Sequence, residues 1–153
     1  MRAMSNKFSK WYKWNHRKQI HDSHYPGIYI LVVSPVDLSG KHFDWDLELS
    51  YIGMTNSKKG LAGRLRQFDN TIKGKKGHGG AARFRFVHQD YDLLADKLYV
   101  SVCAFPCDPS RLDPSDLEVM GEVAKFEYIC FANHKKKYGR IPYFNLRSSK
   151  KHK

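Results

Sequence analysis

Long hydrophobic runs are missing from this chain. No stretch approaches the ~20 apolar residues that a membrane-spanning helix needs. The first residues, MRAMSNKFSKWYKWNHRKQ, are charged and lack an apolar core, so they do not read as a secretory leader. A cytoplasmic protein is the expectation. Cysteine is scarce as well: three residues is an odd count, which argues against a disulfide framework. There is no internal repeat and no glycine-rich loop of the nucleotide-binding type. The most telling absence is acid. No Asp or Glu precedes Asp22, none lies between Asp69 and Asp90, and none follows Glu127.

What fills those acid-free stretches is base mixed with aromatics: KFSKWYKWNHRK, KGKKGHGGAARFRF and HKKKYGR through RSSKKHK. They account for much of a net charge of +12 on 153 residues. Lys and Arg neutralise phosphates and release counterions, and Trp11, Tyr12, Trp14, Phe84 and Phe86 could stack on bases or sugars. A polyanion partner, and nucleic acid in particular, is the expectation. Lys10, Trp11, Lys13, Lys73, Lys75, Lys76, Arg83 and Arg85 are the residues expected to contact it.

The length suits one domain with a sizeable core. Residues 1–24 read as a basic aromatic arm, with a helix around Phe8–His21. After Pro26-Gly27, GIYILVVS reads as a strand. VDLSGKHFDWD is a turn-containing excursion, and LELSYIGMT is a second strand antiparallel to the first. Leu61, Leu65, Phe68 and Ile72 then fall at helical spacing. Lys73–Ala82, with four glycines, predicts a mobile loop. KLYVSVCAF is a third strand. Asp113-Pro114 starts a helix, with Asp as cap and Pro at the first position, which ends near Gly139. The domain therefore spans 25–147, and 148–153 forms a basic tail. The fold class is α/β (α+β): a small three-stranded, mainly antiparallel sheet flanked by helices.

Two tyrosines beside glycines punctuate the strands, in GIY at 27–29 and YIG at 51–53. With them come LAGRL around Arg64, FEYICF around Glu127 and IPYFN ending in Asn145. In this order the five elements resemble the GIY-YIG nuclease superfamily over residues 25–147. The resemblance implies a GIY-YIG type fold and hydrolytic cleavage of DNA with one Mg²⁺ or Mn²⁺ per active site. Glu127 would bind the metal. Tyr29 and Tyr51 would divide the roles of general base, or orienter of the attacking water, and phosphate holder. Arg64 would stabilise the transition state, and Asn145 would orient a water or bond the phosphate.

Elementary chemistry points the same way. Phosphodiester hydrolysis needs an activated water, a cation for the developing charge and help for the leaving oxygen. Mg²⁺ commonly takes one or two carboxylates plus substrate phosphate and waters. Antiparallel neighbours can place two phenols on one face. Arg66 and Glu122 are the nearby alternatives to Arg64 and Glu127.

Two positions depart from the family's usual pattern: Met54, where many relatives have Lys, and Phe68, where many have Tyr or His. A further proton-handling group is therefore sought in His78 or His88, with His78 added to the catalytic set. Cys103, Cys107, Cys130 and His134 have spacings that zinc tolerates, but Cys103 falls in a strand pattern and Cys130 on a core face, so buried structural cysteines are the expectation. The chain's economy resembles the compact type II restriction endonucleases of the family, which act as homodimers on double-stranded DNA. A free-standing homing-type or toxin DNase is the alternative. The alternative of another class is a nucleic-acid-binding module without catalysis.

Overall fold

The computed structural model describes residues 8–75 and 78–146. The expected contact Lys76, the tail 148–153 and the first seven residues of the arm lie outside them. Four strands form one antiparallel sheet in the order β1-β4-β2-β3: β1 (Tyr12–Lys13), β2 (Gly27–Val33), β3 (Tyr51–Thr55) and β4 (Leu98–Ala104). Helices α1 (Gly60–Ile72), α2 (Gly79–Val87), α3 (Tyr91–Lys97) and α4 (Pro114–Tyr138) flank it.

The sheet thus has four strands where three were expected, and the additional one comes from the arm. Residues 8–21 do not form a helix. Ser9 N–H donates to Val102 O, Tyr12 and Lys13 pair with β4, and a 3-10 turn follows at Trp14–Gln19. The i, i+3 spacing of Trp11 and Trp14 invites a helical reading, but the two side chains enter opposite layers. Trp14 joins the core shared with α1 and α3, and Trp11 the core under α4. Both are buried, so neither can stack on a base. This corrects the expectation for Trp11, whose ring instead packs near Phe43. Phe84 is likewise core, whereas Phe86 is 80% exposed.

Each face of the sheet is covered, which explains the nearly continuous apolar runs of β2 and β4. One layer joins Tyr29, Leu31, Tyr51, Val100 and Val102 to Leu61, Leu65, Phe68 and Ile72 of α1 and to Phe84 of α2. The other joins Ile28, Ile30, Ile52 and Cys103 to Val123, Phe126 and Cys130 of α4. The excursion between β2 and β3 folds its Leu38, Phe43, Trp45 and Leu47 against this second layer. The start of α4 carries the full reciprocal cap: Asp113 accepts from the first-turn backbone and Asp116 reaches back to the Asp113 N–H. Gly139 closes the helix in the left-handed region, at φ 78°.

The glycine-rich stretch is not a long loop. The chain leaves α1 at Lys73 and re-enters helix at Gly79, because His78 caps α2: its Nδ1 accepts from Ala81 N–H at 3.1 Å. No helix of the described residues is long and apolar enough to cross a membrane.

Candidate active site

Register brings the two tyrosines together. Tyr29 lies opposite Gly53 and Leu31 opposite Tyr51, so Tyr29 and Tyr51 project from the same face, one diagonal step apart. Their ring centroids are 6.0 Å apart. Gly53 is required here by close approach, since a Cβ there would run into the Tyr29 ring. Gly80 does the same for Tyr51: the first turn of α2 lies against that ring, and a Cβ would collide with it. The two glycines hold the phenols between the sheet edge and α2.

Arg64 stands on α1, one position from the buried Leu65. Its guanidinium donates to Gln67 Oε1 at 2.7 Å, while its Nε is buried without an acceptor among the described residues. Beside it opens a cleft of about 470 Å³ lined by Thr55, Lys59, Arg64, Arg66 and Asn70. Arg66 is exposed on this cleft's wall, a place suited to a more distant phosphate.

Glu127 belongs to α4, on the opposite layer of the sheet. It flanks the buried Phe126 and is half-buried, and its carboxylate takes no hydrogen bond or ion pair among the described residues. Burial raises its pKa, and the Arg64 charge opposes that rise. Tyr51 in turn feels the Glu127 charge. The two layers meet here because β3 is the outer strand of the sheet, with the Tyr143–Asn145 turn beside it. Glu122 is five residues earlier, about 140° round the helix. Its Oε1 is buried without a partner among the described residues, but the Arg64 charge acts on Glu127.

Burial raises both phenols, Tyr29 well above the usual tyrosine value. For Tyr29, Tyr51 adds to the rise and Arg64 opposes it. For Tyr51, the opposing charges are Arg83 and Arg64. Tyr51 retains 9% exposure and Tyr29 none.

His78 is the group that composition could not locate. It is buried against Phe68, ring centroids 4.9 Å apart, and its Nε2 lies 2.8 Å from the Tyr29 hydroxyl. The phenyl of Phe68 and the imidazole thus stand together where a single polar side chain was looked for. His78 is not the accessible, near-neutral base expected from sequence. Burial, with Arg64 and Arg83 nearby, lowers its pKa to about 4. His88 lies at the far end of α2, against Phe84 and Phe144, and has no contact with the phenols. Met54 packs into the α4 layer, on the other side from the tyrosines.

Asn145 sits at the sheet edge but is engaged. Ile52 N–H donates to its Oδ1 and its Nδ2 donates to Ile52 O, both at 2.8 Å. One lone pair and one N–H of the amide remain for other partners.

Arg83, expected only as a phosphate contact, has a structural task too: its Nε donates to Phe144 O at 2.6 Å. The signal for it was present, since Arg83 follows Gly80 by three residues on one helical turn. Arg85 donates to Ile72 O and Gln89 O, and Lys73 pairs with Asp69. Lys10 and Lys75 are exposed, and Lys13 is half-buried in β1.

No disulfide joins the cysteines, and no cluster of three His, Cys, Asp or Glu among the described residues could hold a metal by itself. His134 is occupied by Leu49 N–H and Arg140 O. A divalent ion at this edge would rest on Glu127, whose unbonded carboxylate fits a hard cation that completes its shell with phosphate and water. No family model matches the chain, and no curated protein or solved structure matches it either.

Proposed function

We propose that this chain is a divalent-metal-dependent endonuclease of the GIY-YIG type, a compact restriction-like enzyme that hydrolyses DNA phosphodiester bonds. The observation that carries the reading is a complementary pair at the sheet edge. Among the described residues, Arg64 offers a buried N–H without an acceptor, and Glu127 a half-buried carboxylate without a donor. The first calls for an anion and the second for a cation. A phosphate with its metal supplies both.

In the proposed reaction one tyrosine of the Tyr29–Tyr51 pair first loses its hydroxyl proton to solvent; a water oxygen then attacks phosphorus and passes its proton to that phenolate oxygen. The bond from phosphorus to the leaving oxygen breaks, and that oxygen takes a proton from solvent. Arg64 donates to a non-bridging oxygen, where charge grows in the transition state. Glu127 would hold the Mg²⁺ or Mn²⁺, which when bound supplies positive charge for the leaving oxygen. Lys59 and Arg66 extend the positive surface along the cleft. Since both phenols are neutral in the free protein, the rate should climb with pH through the neutral range. One site cuts one strand, so cutting a duplex calls for two copies.

The test is supercoiled plasmid with Mg²⁺ or Mn²⁺, using wild type beside Glu127→Ala and Arg64→Ala. Nicking by wild type, reduced ~10³-fold or more in each variant, is the expected result. Binding without nicking would replace this reading with a non-catalytic DNA-binding module. Discrete fragments would mark a sequence-specific enzyme, and a smear a non-specific one.

A further inference from the structure

The hydrogen bonds around His78 fix the direction of a proton. Its Nδ1 accepts from the Ala81 N–H and so carries none of its own. A neutral imidazole with a bare Nδ1 bears its hydrogen on Nε2. Nε2 therefore donates to the Tyr29 oxygen, 2.8 Å away. With that bond accepted, the hydroxyl hydrogen of Tyr29 must turn elsewhere. Tyr29 is fully buried, and the ring beside it on the same face of the adjacent strand is Tyr51, centroids 6.0 Å apart, whose hydroxyl is the neighbouring acceptor on the side away from His78. Tyr51 beside it raises the pKa of Tyr29, and Tyr29 lowers that of Tyr51.

Resting on the nuclease reading, we propose that His78 is a positioning residue: it donates to Tyr29, aims the Tyr29 hydrogen at Tyr51, and leaves Tyr51 as the tyrosine that meets the substrate. The relay runs Ala81 N–H to His78, His78 to Tyr29, Tyr29 to Tyr51. It begins at the cap of α2 and ends at the only one of the two phenols with exposed surface. Two further features agree. Arg64 bears on both phenols, Arg83 bears on Tyr51 as well, and the close approach of Gly80 fixes the Tyr51 ring. The groups facing His78 are Tyr29 from β2, Tyr51 from β3, Arg64 and Phe68 from α1, and Arg83 from α2.

Two substitutions separate relay from cap. His78→Asn keeps an oxygen able to accept from Ala81 N–H, but its amide stops short of Tyr29. His78→Gln can put an N–H₂ where Nε2 stood. The expectation is a plasmid-nicking loss of about tenfold in His78→Asn, an acid limb of the pH–rate profile displaced to higher pH, and recovery of most activity in His78→Gln. Tyr51→Phe should lose at least tenfold more than Tyr29→Phe. Combining His78→Asn with Tyr29→Phe should cost no more than Tyr29→Phe alone.

The proposal is overturned if His78→Asn is fully active, if Gln rescues no better than Asn, or if Tyr29→Phe is the more damaging phenol variant. The ¹⁵N spectrum of His78 in the DNA-free wild type is independent of turnover. A proton on Nε2 is expected, and one on Nδ1 overturns the relay. If wild type never nicks DNA, the nuclease reading and Tyr51's part in it fall. The spectrum then still decides whether His78 donates to Tyr29.

Discussion

Residues 8–21 and residues 73–88 look alike in sequence: no acid, several Lys or Arg, and aromatics between them. They end in different places. The first becomes an edge strand and a 3-10 turn, with both tryptophans inside. The second becomes the cap and body of α2, with His78 at the phenols and Phe86 in solvent. What separates them is how far one carboxylate from elsewhere reaches into each: it meets the first at Trp14 and Arg17, well inside the stretch, and the second only at its first residue, Lys73. Asp69 on α1 accepts from Trp14 Nε1 (2.8 Å) and Tyr91 hydroxyl (2.6 Å) and pairs with Arg17 and Lys73. The buried acid draws the arm's base and indole inward, so part of the apparent DNA-binding charge is spent on folding. An acid-free run thus says little until one knows which acids from other segments reach it.

The largest expected effect tests the aromatics. Trp14→Ala should lower the unfolding free energy by about 4 kcal/mol, as removal of a fully buried indole does. Phe86→Ala should change it by less than ~0.5 kcal/mol. Urea unfolding of both variants makes the comparison, and equal effects would abolish the distinction drawn here.

Asp69→Asn should cost about 3 kcal/mol, because cationic partners lose their buried counter-charge. Burial alone would raise the Asp69 pKa, but hydrogen bonds from Tyr91, Trp14 and Lys73 outweigh it and hold it below the ordinary carboxylate value. The folded pKa lies below the unfolded one, near ~3.9, so the contribution is complete above that pH and disappears as pH falls through the folded value. Wild type should therefore lose stability on acidification below about pH 4 more steeply than Asp69→Asn.

The smallest effect distinguishes exposed from paired lysines. Lys75→Ala should reduce the salt dependence of DNA binding by about one unit of slope, while Lys73→Ala should change it less because its ammonium is held by Asp69. Affinity measured across a salt series reads both.

Much of the frame was legible in the residues themselves. β-branched runs marked β2 and β4, helical spacing marked α1, and Asp113-Pro114 with Gly139 bracketed α4. The same-face placement of Tyr29 and Tyr51 followed from an antiparallel hairpin. What could not be read depends on partners distant in sequence. β1 is two residues long and exists because β4 offers it an edge. α2 opens with two glycines, poor helix formers, and is held by a histidine cap and by packing on Tyr51 and Phe68. The Asn145 amide matched a motif, yet its present bonds go to backbone, which no local signal announces.

That amide has a consequence for assembly. By occupying both polar groups of Ile52, Asn145 stands where the main chain of an added strand would have to lie, and the N–H of Phe144 occupies Ser50 O alongside it. The outer margin of β3 is therefore closed to strand addition. Two copies of the proposed nuclease could not join by continuing their sheets through this margin.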